Sequence, residues 1–239
     1  MADGATPRNH GTEPSGSRSQ TLDRGVRVLE TLRDRGRPMT IIDLARSLEV
    51  HRSIIYRILR TLEDHRLVAR TADGGYELGP GLPALARGVS RPLQSAALPV
   101  LSGLADETGM TAFVVVPSGD EAVTLLTVEP RQSDAHIAYA PGVRHPLDRG
   151  APGLALLAAR PERAGERSEV ARVRESGWAY SRSEVLTGMS AVAAPIPSAP
   201  APASVALIFL EPPEGDPEER RVLGERVRAA AKEITAGQG

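Results

Sequence analysis

One segment of the chain carries two opposed stripes of side chains, and it restricts the possible folds more than any other feature. Between positions 52 and 65, aliphatic residues recur at helical spacing, while polar and cationic residues recur at the same spacing on the other side. The aliphatic stripe is Ile54, Ile55, Ile58, Leu59 and Leu62, and the polar stripe is Arg52, Ser53, Tyr56, Arg57 and Arg60. The pattern predicts a helix that packs with one face and presents the other to a partner.

Two helices precede this segment and a hairpin follows it. Residues 21–36 repeat aliphatic side chains at helical spacing, and Thr40 can cap a second, short helix. Three residues then separate the second helix from the third. Residues 67–70 and 76–78 predict two short strands around an Asp-Gly turn. Three helices and a hairpin in this order are typical of a winged helix-turn-helix.

Positive charge is concentrated in the same region. From Thr21 to Arg91, thirteen arginines stand against nine acidic residues, a net charge of +4, whereas the whole chain has a net charge of -1. A charged stripe is often only a solvated helix face, but arginine, serine and tyrosine in the third helix of such a motif can reach bases and phosphates. We therefore predict seven DNA-binding residues: Thr40, Arg52, Ser53, Tyr56, Arg57, Arg60 and Arg70.

Composition divides the chain into four parts. Residues 1–20 contain no Val, Ile, Leu or aromatic residue and are predicted to be a disordered tail. The winged domain is assigned to residues 21–79, a linker with a short helical segment to residues 80–91, and an αβ domain to residues 92–239. In the αβ domain, the predicted helices are 93–107, 152–160, 169–176 and 217–236, and the predicted strands are 111–116, 121–128, 137–139, 178–181, 190–196 and 205–210. The segment 195–202, rich in proline, is predicted to be an irregular connection.

Several classes of protein are excluded by what the sequence lacks. Without cysteine there can be no disulfide, thiolate metal site or cysteine nucleophile. The five histidines have no His-x-x-x-His spacing, and neither a nucleophile elbow nor a nucleotide-binding glycine motif is found, so no catalytic residue, metal or cofactor is predicted. No apolar run approaches the roughly 20 residues that span a bilayer, and there is no secretory signal, so we expect a cytoplasmic bacterial protein without a membrane partner.

The runs GVRVLETL, PMTIIDLARSL and GYELGPGL, with the helix over 54–62 between them, resemble the IclR family of bacterial transcriptional regulators. Further blocks, PVLSGLADETGMTAFVVV, PGVRHPLDRGAPGLALLAA, RVRESGWAYS and SAVAAPI, extend the resemblance over about residues 21–236. It implies an α+β protein in which a short linker helix joins the winged domain to a GAF-like αβ effector-binding domain. It also implies homodimers or dimers of dimers on palindromic double-stranded operators, a repressor role, and a small organic effector that alters DNA affinity.

The expected effector pocket departs from the family pattern. The family usually has His, Ala and Thr or Ser where this chain has Asp148, Arg149 and Gly150, and an acidic residue and a cysteine where it has Ser181 and Ala191. The residues predicted near the effector are Met110, Phe113, Tyr139, Arg144, Arg149, Ala151, Gly153, Ser181, Met189 and Ala191. Arg144, His145 or Arg149 could hold a carboxylate of the effector.

Two alternatives stay open on the sequence. The expected pocket residues could serve only as core packing and loop charges. The whole chain could also be a non-catalytic module that binds a ligand or a partner and holds nucleic acid only nonspecifically, through its basic front.

Overall fold

The computed structural model describes residues 19–132, 137, 139–197, 202–210 and 216–238. Two compact units are distinguished, the first ending at Val89 and the second beginning at Ser90. Of the predicted tail over 1–20, residues 1–18 lie outside the described part. The prediction was wrong for the last two positions, because the Ser19 hydroxyl accepts a hydrogen bond from the Leu22 amide at 3.4 Å and caps a helix that begins at Gln20.

The first unit opens with the three helices that the sequence predicts. They are α1 (Gln20–Arg35), α2 (Ile41–Leu48) and α3 (Arg52–Asp64). Helix α1 ends at Gly36, whose φ of +61° lies in the left-handed region that favours glycine. The turn between α2 and α3 instead places Glu49 at φ +54°, a conformation that costs a non-glycine residue some strain.

The predicted hairpin follows α3 and is tied back to the helices. Strands β1 (Val68–Arg70) and β2 (Tyr76–Leu78) pair antiparallel. The buried Tyr76 also exchanges two backbone hydrogen bonds with Met39, of 2.9 and 2.8 Å, which anchors the wing to the segment before α2. A short helix, α4 (Gly81–Ala86), comes next. The core of the unit includes Val28, Leu32, Leu44, Ile55, Leu59 and Val68.

The second unit is a six-stranded antiparallel sheet between two layers of helices. Its elements are α5 (Arg91–Thr108), β3 (Thr111–Ser118), β4 (Glu121–Val128), β5 (Arg144–Pro146), α6 (Gly150–Ala158), α7 (Ser168–Ser176), β6 (Ala179–Arg182), β7 (Met189–Ile196), β8 (Ala203–Leu210) and α8 (Pro217–Ala236). The strand order is β5-β4-β3-β8-β7-β6. The predicted α+β class, a helix-turn-helix domain followed by an αβ domain, is confirmed.

Both faces of this sheet are buried, which explains why its strands read as nearly continuous apolar runs. Successive side chains of a strand point to opposite faces. In β3, Ala112 and Val114 pack in one core with α5 and α8, while Phe113 and Val115 pack in a second core with α6 and α7. Two separate apolar cores therefore hold the sheet, one on each side.

The predicted strand over 137–139 was wrong. Neither Ile137 nor Tyr139 lies in a strand, and Ala138 lies outside the described residues. The edge of the sheet is formed instead by β5, in which Arg144 pairs with Val123. Three residues with an arginine, a histidine and a proline carry no periodicity that sequence reasoning could detect.

Only part of the predicted irregular connection over 195–202 lies within the described residues. Residues 198–201 lie outside the described part, and Pro195 itself belongs to β7. Among the described residues, no helix is both long and apolar enough to cross a membrane.

Candidate nucleic-acid interface and ligand cavity

Helix α3 has the two faces that its sequence predicts. Ile55, Ile58 and Leu59 are buried, and Ile54 and Leu62 are half-buried against the same core. On the opposite side all five predicted residues are exposed, and they are Arg52, Ser53, Tyr56, Arg57 and Arg60. Half of the Tyr56 surface is accessible, which is unusual for an aromatic side chain on a well-packed helix. The helix therefore presents a cationic face with one aromatic ring.

The start of α3 is capped by a residue that sequence reasoning placed only in the turn. The Nδ1 atom of His51 accepts a hydrogen bond from the Ser53 amide at 3.3 Å, and the Ser53 hydroxyl lies 2.8 Å from the same nitrogen. This ties down the Ser53 side chain at the first turn of the helix. Histidine is not among the strongly preferred capping residues, so its type alone did not signal the role.

Thr40 has a structural role at the start of α2. Its Oγ1 accepts from the Asp43 amide at 3.2 Å and donates to Asp43 Oδ2 at 2.7 Å. The hydrogen bond from Thr40 holds the pKa of the Asp43 carboxyl below its ordinary value. The Thr40 hydroxyl thus already caps α2, and its predicted contact with DNA would be a second role.

The wing carries the last of the seven predicted residues. Arg70 is exposed at the end of β1. The turn beyond it is closed by a hydrogen bond from the Thr71 hydroxyl to Asp73 and by one from the Gly74 amide to the Thr71 carbonyl at 3.0 Å. Gly74 has a φ of +85°, so this turn needs a residue that tolerates the left-handed region. Two hydrogen bonds and a glycine thus close the turn at the end of the wing.

The arginines of the α3 face have no acidic partners among the residues that the structure describes. Within the described part of the chain, Arg52, Arg57 and Arg60 form no ion pair, whereas Arg33 and Arg46 of the neighbouring helices pair with Asp34 and Asp43. Guanidinium groups without an internal partner keep all their donors for phosphates or base edges. The charge on this face is thus available to a polyanion.

A small cavity in the second unit lies between the sheet and the first turn of α6. Its volume is about 20 Å³, the space of one water molecule. The lining residues are Phe113, Tyr139, His145, Gly150, Pro152, Ser181, Glu184, Val185, Leu186, Met189, Ser190, Ala191 and Ile208. Five of the ten predicted effector residues are among them: Phe113, Tyr139, Ser181, Met189 and Ala191. The Phe113 and Tyr139 rings pack against each other with centroids 4.7 Å apart, and burial raises the pKa of Tyr139.

The two small residues predicted in the pocket, Ala151 and Gly153, lie in α6 beside the cavity. Ala151 donates its amide to the Ser181 hydroxyl at 2.8 Å. Gly153 allows α6 to approach the preceding loop, since a Cβ there would lie 2.4 Å from the Leu147 carbonyl oxygen. Neither residue lines the cavity itself.

Three other predicted pocket residues lie elsewhere. Met110 lines a different cavity of about 280 Å³, near the start of β3. Arg144 is exposed and lies 3.5 Å from Glu121. Arg149 donates a hydrogen bond to the carbonyl of Glu184. Neither arginine lines the small cavity, because β5 and the start of α6 direct them to other partners.

One polar residue that reaches the cavity, Glu184, was not predicted there. Glu184, from the loop between β6 and β7, accepts from the Gly150 amide at 2.8 Å and forms a two-point ion pair with Arg167. Because the Arg167 guanidinium donates to it, the pKa of the Glu184 carboxyl is lowered. The loop also brings Val185 and Leu186 over the cavity. Only the tertiary arrangement joins this loop to α6, since Glu184 and Gly150 are 34 positions apart.

Known proteins are similar to this chain in its first unit and over most of its length. Residues 21–72 match the model of the IclR helix-turn-helix domain. Over 197 residues the chain is 32% identical to the HTH-type transcriptional regulator Rv1719 of Mycobacterium tuberculosis, covering 73% of this chain and 76% of that protein. It is 27% identical to the HTH-type transcriptional repressor AllR of Salmonella typhi, over 95% of this chain and 93% of that protein.

A solved structure shares the fold over both units. It is the crystal structure of an IclR homolog complexed with 4-hydroxybenzoate, from Microbacterium hydrocarbonoxydans. The TM-score is 0.75 at 21% identity, and the match covers 92% of this chain and 99% of that chain.

Proposed function

This chain belongs to the IclR family of transcriptional regulators, and from that membership we propose that it represses transcription by binding a palindromic operator through α3. The observation that carries the proposal is the exposed cationic face of that helix, which has no internal acidic partner among the described residues. The similarity to AllR, a repressor, supports repression over activation.

We assign to each predicted residue of the interface a contact with the bases or the backbone of DNA. Arg52 and Arg57 read base edges in the major groove, since arginine bonds guanine with two parallel hydrogen bonds. Tyr56 and Ser53 contact bases or phosphates beside them. Arg60 bonds phosphates from farther along α3. Thr40, at the start of α2, and Arg70, on the wing, contact the flanking backbone and set the orientation of the helix.

We propose that the protein binds as a homodimer or as a dimer of dimers, and the apolar side chains that one copy leaves exposed support this. Large aliphatic side chains are exposed on α1, at Leu22 and Val26, and in and after α4, at Leu85 and Val89. Burying such side chains against a second copy removes apolar surface from water. Two copies related by a twofold axis place their α3 helices on half-sites about 34 Å apart, so the operator is palindromic.

A small organic molecule bound in the second unit is proposed to change operator affinity. Support comes from the cavity beside α6, with its apolar walls and few polar groups, and from the 4-hydroxybenzoate complex of the structural relative. A ligand that binds one dimer geometry more tightly than another shifts the separation of the two α3 helices and hence DNA affinity. No enzymatic activity is proposed, and the site of action is the bacterial cytoplasm, where the chromosome lies.

The test is binding of the purified protein to the DNA upstream of its own gene. The measurement is fluorescence anisotropy at about 150 mM salt with excess competitor DNA, because electrostatic attraction alone does not survive these conditions. We expect a complex that is about a thousandfold tighter than the complex with unrelated DNA. A reporter gene placed behind the same fragment should be silenced.

One result would favour the alternative function. If binding to every fragment disappears with competitor, the basic front holds nucleic acid only nonspecifically, and the chain is a ligand- or partner-binding module instead.

A further inference from the structure

A buried histidine at the cavity has a ring nitrogen to which no described residue donates a hydrogen bond. His145 is 5% exposed, and its ring lines the cavity. Its Nδ1 lies 3.0 Å from the Pro146 carbonyl oxygen, and since a carbonyl can only accept, Nδ1 carries the hydrogen. Nε2 is then a lone-pair acceptor, and no described residue donates to it. Burial lowers the pKa of His145, which keeps the ring neutral.

The positions that would bind an anionic group are already taken by the chain itself. The first amides of a helix attract a carboxylate, and α6 has no side-chain cap of its own. The Gly150 amide donates to the Glu184 carboxylate at 2.8 Å, and the next amide, of Ala151, donates to the Ser181 hydroxyl at 2.8 Å. The chain has thus placed its own carboxylate where that of a ligand would lie.

The Glu184 carboxylate is held in this place by a strong clamp. Arg167 donates to both of its oxygens, at 2.8 and 3.1 Å, and also to the Asp148 carbonyl at 2.9 Å. Two parallel hydrogen bonds between opposite charges fix both distance and angle. Because Arg167 is already committed to Glu184, it is not free to hold a second carboxylate. No arginine or lysine is found among the described residues that line the cavity.

We propose that this cavity takes a small uncharged molecule that is mostly apolar and donates one hydroxyl or amino hydrogen to His145 Nε2, with Glu184 excluding carboxylates. The proposal rests on the proposed function, in which the same cavity is the effector site. The apolar part of the ligand packs between the Phe113 and Met189 side chains and displaces Val185 and Leu186, which are 36% and 41% exposed and close the cavity from outside.

Phenol and benzoate are the probes, because they share a ring and differ in the donor and the charge. Binding to the full chain is measured by isothermal titration calorimetry and by the rise in melting temperature. Phenol should bind the native protein with a saturable signal, whereas benzoate should not. Replacement of the acceptor, His145→Phe, should weaken phenol about tenfold. Equal binding of the two probes, or no binding of phenol, would overturn the proposal.

The role of Glu184 is tested by removing its side chain, which should reverse the preference between the two probes. Glu184→Ala vacates the Gly150 amide and Arg167, so benzoate should gain about tenfold in affinity or more. The matched control is Glu169→Ala, because Glu169 also pairs with Arg167, at 3.3 Å, but does not touch Gly150. The control should leave benzoate unbound. Glu184→Ser, whose side chain is also too short to reach the Gly150 amide, serves if the alanine variant is unstable. Failure of both Glu184 variants to bind benzoate would contradict the assignment.

Operator binding of the same preparations separates the two proposals. If every variant still binds the operator but the ligand preferences are absent, only the ligand class is rejected. If the native protein binds no operator, the proposed function is rejected, whatever the cavity binds.

Discussion

Single arginines on α3 decide whether the proposed interface reads bases or only phosphates. Replacement of Arg52 or Arg57 by alanine should cost about 1 to 3 kcal/mol of operator binding and relax base preference at one position, because a bidentate contact with guanine is lost. The measurement is a titration against the native operator and against single-base variants of it. Arg172→Ala, on α7 in the other unit, is the control and should leave affinity unchanged. Unaltered binding by both α3 variants would remove this helix from the interface.

The cap formed by Thr40 leads to a prediction about the stability of the protein. Thr40→Ala should lower the free energy of unfolding by about 1 kcal/mol, because the Asp43 amide at the start of α2 loses its acceptor. Thr40→Ser keeps a hydroxyl in the same place and should retain most of the stability. Urea denaturation of the three proteins gives the comparison. Equal losses in both variants would indicate that the methyl group, rather than the cap, matters.

Individual residues also show the limit of sequence reasoning about the site. The stripe from Arg52 to Arg60 was predictable, since helical periodicity assigns each side chain to a face without any tertiary information. Glu184 was not, because its significance lies in the distance to Gly150 and Arg167, which are far away in the sequence. His145 was considered as a holder of a carboxylate, but nothing in its neighbourhood showed that one nitrogen would be buried without a partner.

At the scale of elements, the join between the wing and α4 depends on a close backbone approach. A Cβ at Gly79 would lie 2.3 Å from the Arg66 carbonyl oxygen, and one at Gly81 would lie 2.7 Å from the same atom. The sequence indicated only that these glycines interrupt regular structure. The structure shows that they let the chain pass close to the backbone of Arg66, the second residue after α3.

Gly79→Ala should therefore destabilise the first unit strongly, by several kcal/mol, since backbone rather than a mobile side chain blocks the methyl group. Gly25→Ala is the matched control in α1. Its Cβ would meet only the Ile58 side chain, at 3.9 Å, so the unit should gain up to about 1 kcal/mol from the better helix former. Thermal unfolding followed by circular dichroism measures both. A neutral Gly79 variant would mean that the backbone relaxes at this point.

At the scale of the whole molecule, acid should weaken the ion-pair network of the second unit. Arg167 holds the pKa of Glu169 at about 2 and lowers that of Glu184, and Arg174 lowers that of Glu166. Lowered pKa values in the folded state mean that the stabilisation is present above the ordinary pKa of about 4.5 and is lost as the pH falls toward 2. Each pair is partly exposed, so each contribution is modest.

The prediction is a shallower pH dependence in Arg167→Gln than in the native chain. The free energy of unfolding is measured by urea denaturation at intervals from pH 7 to pH 3. Native protein should lose stability faster than the variant below about pH 4.5, because the variant no longer lowers the pKa of Glu169 and Glu184. Identical slopes would show that other carboxylates, such as Asp43, control the acid response.

The sequence by itself determined the class of the fold and the exposed cationic face of α3. Periodicities of 3.6 and 2 residues are local properties, so the three helices, the hairpin and most strands of the sheet could be recognised without knowing their neighbours. The edge strand β5 was not predicted, and the reason is also local, since three residues are too few to show a period.

Only the tertiary structure decided the character of the cavity. The loop that carries Glu184 folds onto the start of α6, Arg167 clamps it there, and β5 turns His145 inward while leaving Arg144 in solvent. These are distances between positions far apart in the chain, and hydrogen bonds depend steeply on distance and angle. A sequence pattern shows which face of each helix or strand is apolar. Which of those faces contact each other is decided only when the elements pack.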